Sequence, residues 1–131
     1  MFVIDMLCDW IKGRPWGKEL SWADIESAIR QLDGRHRTEV SIAGDGEAHM
    51  SVTGGGGFYL ISATPNNDVF YDIRNPTGSP GRTIKVVSGG QMVTVSTEEA
   101  VGLDTALQAA RKFAEEGVFD PSLTWRTNPP T

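Results

Sequence analysis

The sequence predicts an α+β fold, a mainly antiparallel sheet of about six strands with two helices packed on one face. Three observations carry this prediction. Between Thr38 and Val95 apolar residues alternate with polar ones, and clusters of Gly, Pro, Asn and Asp break the run every few residues. On either side of that stretch the apolar residues recur instead at spacings of three and four. The connections are short, so successive strands pair most simply as an antiparallel meander.

The opening segment, Phe2 to Ile11, fits two periods. Val3, Met6, Leu7 and Trp10 match a helix, whereas Phe2, Ile4, Met6 and Cys8 match a strand. We read it as a strand at the sheet edge. Trp22, Ile25, Ile29 and Leu32 then line one face of a helix. Ser21 caps its start, Asp24 suits the positive end of its dipole, and Asp33-Gly34 ends it. Strands follow around Val40 and Ile42, Met50 and Val52, Phe58 to Ile61, and Val69 to Ile73. They are separated by Asp45-Gly46, Gly54 to Gly57 and Pro65-Asn66-Asn67-Asp68. After a loop from Asn75 to Gly81, two more strands, Thr83 to Val87 and Met92 to Val95, flank Ser88-Gly89-Gly90-Gln91.

The second helix carries Leu103, Leu107, Ala110, Phe113 and Ala114 on one stripe. Two starts compete. Ser96 with Glu99 resembles a capping box, and Gly102 followed by Asp104 suggests a later cap. The later start is preferred, because Gly inside a first turn costs ~1 kcal/mol against Ala. Gly117 stops the helix, and Leu123-Thr124-Trp125 forms a last strand or a packed tail. Trp10, Trp16, Trp22 and Trp125 are expected in the core or at its border. Residues 1–126 make one domain, and 127–131, with Pro129-Pro130, a loose tail.

With 39% hydrophobic and 22% charged residues, the chain has a globular composition. Acids outnumber bases 17 to 12, which argues against binding to duplex nucleic acid or to an anionic membrane. The excess is unevenly placed. From Thr38 to Ile73 there is no Lys or Arg, and Glu39, Asp45, Glu47, Asp68 and Asp72 in that stretch equal the whole net charge of −5. Such a stretch is either a solvated face or a negative surface for a basic partner. The lone Cys8 fits a reducing compartment, no run of ~18 apolar residues is present, and the N-terminus lacks a basic start. The expected location is cytoplasmic.

No catalytic constellation emerges. His36 lies between Arg35 and Arg37. His49 shares a strand face with Glu47 and Ser51, a trio better read as polar surface than as a catalytic fragment. Cys8 has an apolar setting that suits an inert thiol. One Cys and two His at no ligand spacing give no metal pattern. The Gly54–Gly57 run leads into a strand and has no Lys beside it, so it reads as a hairpin turn or bulge and not as a phosphate cradle. Phe58, Tyr59, Phe70 and Tyr71 lack the neighbouring bases of a sheet-surface RNA binder. No catalytic residue, metal or cofactor is expected, and the enzyme reading is kept only as an alternative.

Several segments together are similar to a known family. They are Ile29-Arg30-Gln31-Leu32-Asp33-Gly34, Val52-Thr53-Gly54-Gly55-Gly56, Ser88-Gly89-Gly90-Gln91, Ala106 to Phe113 with Gly117, and Asp120-Pro121-Ser122-Leu123-Thr124-Trp125. In this order they resemble the first-numbered immunity protein family of bacterial polymorphic toxin and contact-dependent inhibition systems. The resemblance spans about Trp22 to Trp125. It implies a non-catalytic α+β protein that binds a toxic C-terminal domain, often a nucleic-acid deaminase or nuclease, and blocks its active site or its access to substrate. The expected partner is therefore a basic toxin domain, with neither nucleic acid nor membrane bound directly. The acid-rich segment places the expected toxin contact at Asp45, Glu47, Asp68, Tyr71 and Asp72, with Phe70 between the last acids. The alternatives are a secretion chaperone or adaptor that binds without inhibiting, and a small ligand-binding protein or enzyme.

Overall fold

The computed structural model describes residues 1–14 and 19–128. Trp16 and the Pro129-Pro130 pair lie outside the described residues. Among the described residues, eight strands and two α-helices make up an α+β fold, with six strands in succession between the helices. The large sheet holds β1 (Val3–Cys8), β2 (Glu39–Gly44), β3 (His49–Gly55), β4 (Phe58–Thr64), β5 (Phe70–Arg74) and β8 (Thr124–Asn128) in that order. Every neighbouring pair is antiparallel. β6 (Thr83–Ser88) and β7 (Gln91–Ser96) form a separate two-stranded hairpin.

The helices α1 (Trp22–Gln31) and α2 (Leu103–Glu116) cover one face of the sheet. Val40, Ile42, Met50, Val52, Ile61, Ala63 and Ile73 point into that face and meet Ile25, Ile29, Ala106, Ala110 and Phe113. Phe113 is fully buried, with Phe2 packed edge-on at 5.5 Å between ring centres. Trp10, Trp22 and Trp125 sit half-buried at the border of this core. The hairpin lies on the opposite face, where β6 packs against β3 and β4. The molecule thus has three layers: helices, sheet and hairpin.

The start signal of α1 holds, but its end differs: the helix stops at Gln31 with Leu32 as its cap, and Gly34, with φ +73°, belongs to the loop that follows. The Ser21 hydroxyl accepts from the Asp24 N–H at 3.2 Å, and the Asp24 carboxylate accepts from the Ser21 N–H at 2.9 Å. Both candidate starts near the second helix are real, but for different elements. Ser96 and Glu99 cap a short 3-10 turn, Thr97–Glu99, and α2 begins separately after Gly102. Gly117 ends α2 in the left-handed conformation.

Three expectations need correction. The last two strands of the predicted meander leave it, and β1 and β8 fill the six-stranded sheet in their place. In β1 the register shifts between Val3 and Asp5, so Val3, Met6 and Cys8 are buried while Ile4 is 51% exposed. A bulge of this kind breaks strict alternation. β8 runs on through Thr127 and Asn128, which pair with Tyr71 and Phe70, so these two residues are not a loose tail.

The loop after α1 is organised by one side chain. The Asp33 carboxylate accepts from the backbone N–H groups of Arg37, Arg35 and His36 at 3.0, 2.8 and 2.9 Å. These bonds favour the charged form and lower the Asp33 pKa from 3.8 to about 2. A depressed carboxylate contributes stability that is present above its unfolded pKa and is lost as the pH falls through the folded one. Asp33→Ala is therefore expected to lower stability at neutral pH. The difference from wild type should close between about pH 4 and pH 2. Denaturant titrations at stepped pH check this, and a gap that stays constant across the window contradicts it.

Candidate functional site

The face of the sheet away from the helices is polar because strand alternation makes it so. Pairing aligns Leu7, Ser41, Ser51, Ser62, Asp72 and Arg126 in one row across all six strands. The row is linked by short contacts. Ser41 and Ser51 hydroxyls lie 3.0 Å apart, and Ser41 also donates to Glu39 at 3.1 Å. At the far side the Asn128 amide donates to Asp72 at 2.8 Å.

The β6–β7 hairpin is pinned over one end of this face. Ser88 donates to the Thr53 hydroxyl at 2.9 Å, and the Gly90 N–H donates to the buried Thr38 hydroxyl at 2.8 Å. Thr38 is in turn held by Asp9, whose carboxylate accepts from its hydroxyl and its backbone N–H. Between hairpin and sheet a cleft of about 450 Å³ remains. Its lining includes three carboxylates, Glu39, Asp72 and Glu99, with Ser51, Ser62 and Val95, and no Lys or Arg. Arg126, beside the cleft, is 3.2 Å from Glu99.

The sequence-predicted contact residues divide into three places. Asp45 and Glu47 are exposed in the β2–β3 turn, and Asp68 is exposed in the β4–β5 turn. These turns share one end of the sheet, because His49 pairs with both Ala43 and Thr64. Asp72 is half-buried on the polar face and lines the cleft. Tyr71 stands on the other face. It pairs with Ala63, whose partner Met50 is core, and its ring meets Phe119 at 5.5 Å. Adjacent strand residues point to opposite sides, so Tyr71 and Asp72 belong to different surfaces. Phe70 shares the face of Asp72 and packs edge-on against His49 at 6.1 Å. Among the described residues, no ion pair reaches Glu39, Asp45, Glu47, Asp68 or Asp72.

Sequence reasoning did not single out Glu39 or Glu99 as site residues. Glu39 was visible only as part of the acid excess. Glu99 carried a capping signal, and its carboxylate does accept from the Ser96 N–H at 3.1 Å while also reaching the cleft. The His49, Glu47, Ser51 trio does not assemble. His49 Nδ1 lies 3.1 Å from the backbone carbonyl of Glu47, and Ser51 bonds Ser41. Burial, and then the Asp9 charge, push the Cys8 thiol up to about 11, so it is a poor nucleophile at neutral pH. Among the described residues no group of His, Cys, Asp and Glu is arranged to hold a metal, and no helix is long and apolar enough to cross a membrane.

A family model described as Immunity protein Imm1 matches residues 19–127. This chain belongs to the Imm1 family. A search of curated proteins finds no match. Imm1 membership gives the chain an immunity role and makes a toxin protein its partner. The match takes in both helices, the hairpin and β2 through β5, and it leaves β1 outside. It also agrees with the segments that carried the resemblance in the sequence.

Proposed function

We propose that this Imm1 protein neutralises a cognate, nucleic-acid-targeting toxin domain by occupying a basic surface that the toxin needs for substrate. The observation that carries the proposal is the set of acids in the base-free segment with no ion-pair partner among the described residues. Nucleases and deaminases grip phosphate with Lys and Arg, and an acidic protein competes for the same groups. Asp45, Glu47 and Asp68 at one end of the sheet steer the encounter. Asp72 and the cleft beside it supply the enclosed part of the contact, where desolvation lets a few groups carry the affinity. The block is steric and electrostatic, and this chain transforms nothing.

The test is co-expression with a cognate toxin domain, which this reading expects to be encoded next to this gene. The expected result is restored viability, a one-to-one complex on size exclusion, and loss of the toxin's activity on nucleic acid in the purified complex. A stable complex in which the toxin stays fully active would replace inhibition with an adaptor role. Absence of any complex would remove the proposal.

A further inference from the structure

We infer that β7 is a docking edge, to which an extended basic segment of the toxin adds as a third strand of the hairpin. This rests on the toxin-binding reading and names the element that takes the partner.

Hydrogen bonding in β7 is one-sided. The Thr97 N–H donates to the Arg82 carbonyl at 2.9 Å, which fixes the alternation along the ladder. Val95 opposite Ile84, Val93 opposite Val86 and Gln91 opposite Ser88 then bond inward. Met92 and Thr94 direct their N–H and C=O groups outward. No hydrogen bond from a described residue reaches the outward groups of either. Met92 is also 66% exposed. A strand edge of this kind is a template for another chain.

The edge at β1 is different. There the Met6 N–H donates to the Asp5 carboxylate at 3.0 Å, and the Arg14 guanidinium donates to the Ile4 carbonyl at 3.3 Å. Side chains thus stopper two of the groups that a new strand would need. Among the described residues no such stopper stands at Met92 and Thr94.

The setting of β7 chooses the occupant. β6 packs on β3 and β4, while β7 contributes Val95 to the wall of the cleft. The hairpin crosses the sheet, with its tip at Thr38 and its other end near Arg126 and Arg74. A strand laid beside β7 therefore passes over Ser51, Ser62 and Asp72 on the cleft floor. That lining holds three carboxylates, and Glu99 is paired with Arg126 beside the cleft, so Glu39 and Asp72 are the acids of the lining that no ion pair reaches among the described residues. A second copy of this chain would bring more negative charge to it, whereas a segment with Lys or Arg on its inward side complements it.

The experiment uses Thr94→Pro in the full chain. Proline removes an outward N–H and crowds an incoming strand, yet it leaves the β6–β7 ladder intact. Thr94→Ala is the control, because a backbone-mediated contact ignores the side chain. With the catalytically inactivated neighbouring toxin domain as probe, the proline variant is expected to bind at least about tenfold more weakly and the alanine variant normally. Hydrogen exchange on the wild-type complex gives a second reading that needs no variant. The Met92 and Thr94 amides should gain protection on toxin binding. A complex that forms normally with the proline variant, or without protection at these amides, overturns this inference and leaves the toxin-binding reading standing. Concentration-dependent dimerisation that the proline variant abolishes would assign the edge to a second copy and overturn it as well. Absence of any complex fails both readings together.

Discussion

Gly55→Ala is expected to cost about 3 kcal/mol of stability and to lower the melting temperature by roughly 10 °C. Two effects add at this residue. Its φ is +129°, a region that residues with a Cβ rarely adopt. A Cβ built there would also lie 2.4 Å from the Gly34 nitrogen, 2.7 Å from the Asp33 nitrogen and 2.7 Å from the Leu32 carbonyl carbon. These are backbone atoms at the end of α1, and they cannot swing aside. The β3–β4 turn is in fact docked on that loop, with Asp33 and Gly55 forming an isolated bridge. Gly57 supplies the comparison. Its φ is +102°, but a Cβ there meets nothing within 4 Å. Gly57→Ala should show the dihedral cost alone, about 1 kcal/mol. Thermal and denaturant unfolding of both variants separate the two terms. Equal losses at the two positions would mean that the contact with α1 contributes nothing.

That glycine run marks the boundary between what the residues disclose and what they do not. Gly54 to Gly57 before a strand announces a turn, and a turn is there. Nothing local announces that the turn rests on Asp33 and Gly34 some twenty residues earlier. The helices were legible for a related reason. Ser21 with Asp24, and Gly117 after the Phe113 stripe, act within a few residues of themselves. The fate of β6 and β7 depends on distant partners. Their alternation says only that each has two faces, and it is Val86 against Gly54 and Ser88 on Thr53 that place the pair as a third layer. β1 hid its phase in a bulge, so neither period of its sequence describes its burial.

The candidate site was legible as a charge bias and illegible as a shape. The acids of the base-free segment could be counted, but pairing decides which of them meet. Asp45, Glu47 and Asp68 come together through register, since their two turns close at the same end of the sheet. Membership of the base-free segment groups Tyr71 with Asp72 in the expected contact. Alternation alone separates adjacent strand residues, and the Phe119 ring shows which side Tyr71 takes. Glu99 entered the cleft from a capping turn outside the segment.

Reversing Asp45, Glu47 and Asp68 together to lysine is expected to slow association with the toxin domain by roughly ten- to a hundredfold at low ionic strength. The change moves the net charge from −5 to +1 and places the new positive charge at one end of the sheet. All three residues are exposed and in turns, so stability should shift by less than about 0.5 kcal/mol per site. The effect belongs to the long-range encounter. It should shrink as salt is raised toward physiological strength, where the screening length falls to about 8 Å. Asp72→Lys is expected to behave differently. Asp72 is half-buried, accepts from Asn128 at 2.8 Å and lines the cleft, so its loss should appear mainly as faster dissociation. Stopped-flow association and dissociation rates across a salt series distinguish the two classes. If the triple variant associates at the wild-type rate in low salt, the acidic end of the sheet only keeps the molecule hydrated. The binding energy would then have to come from another face.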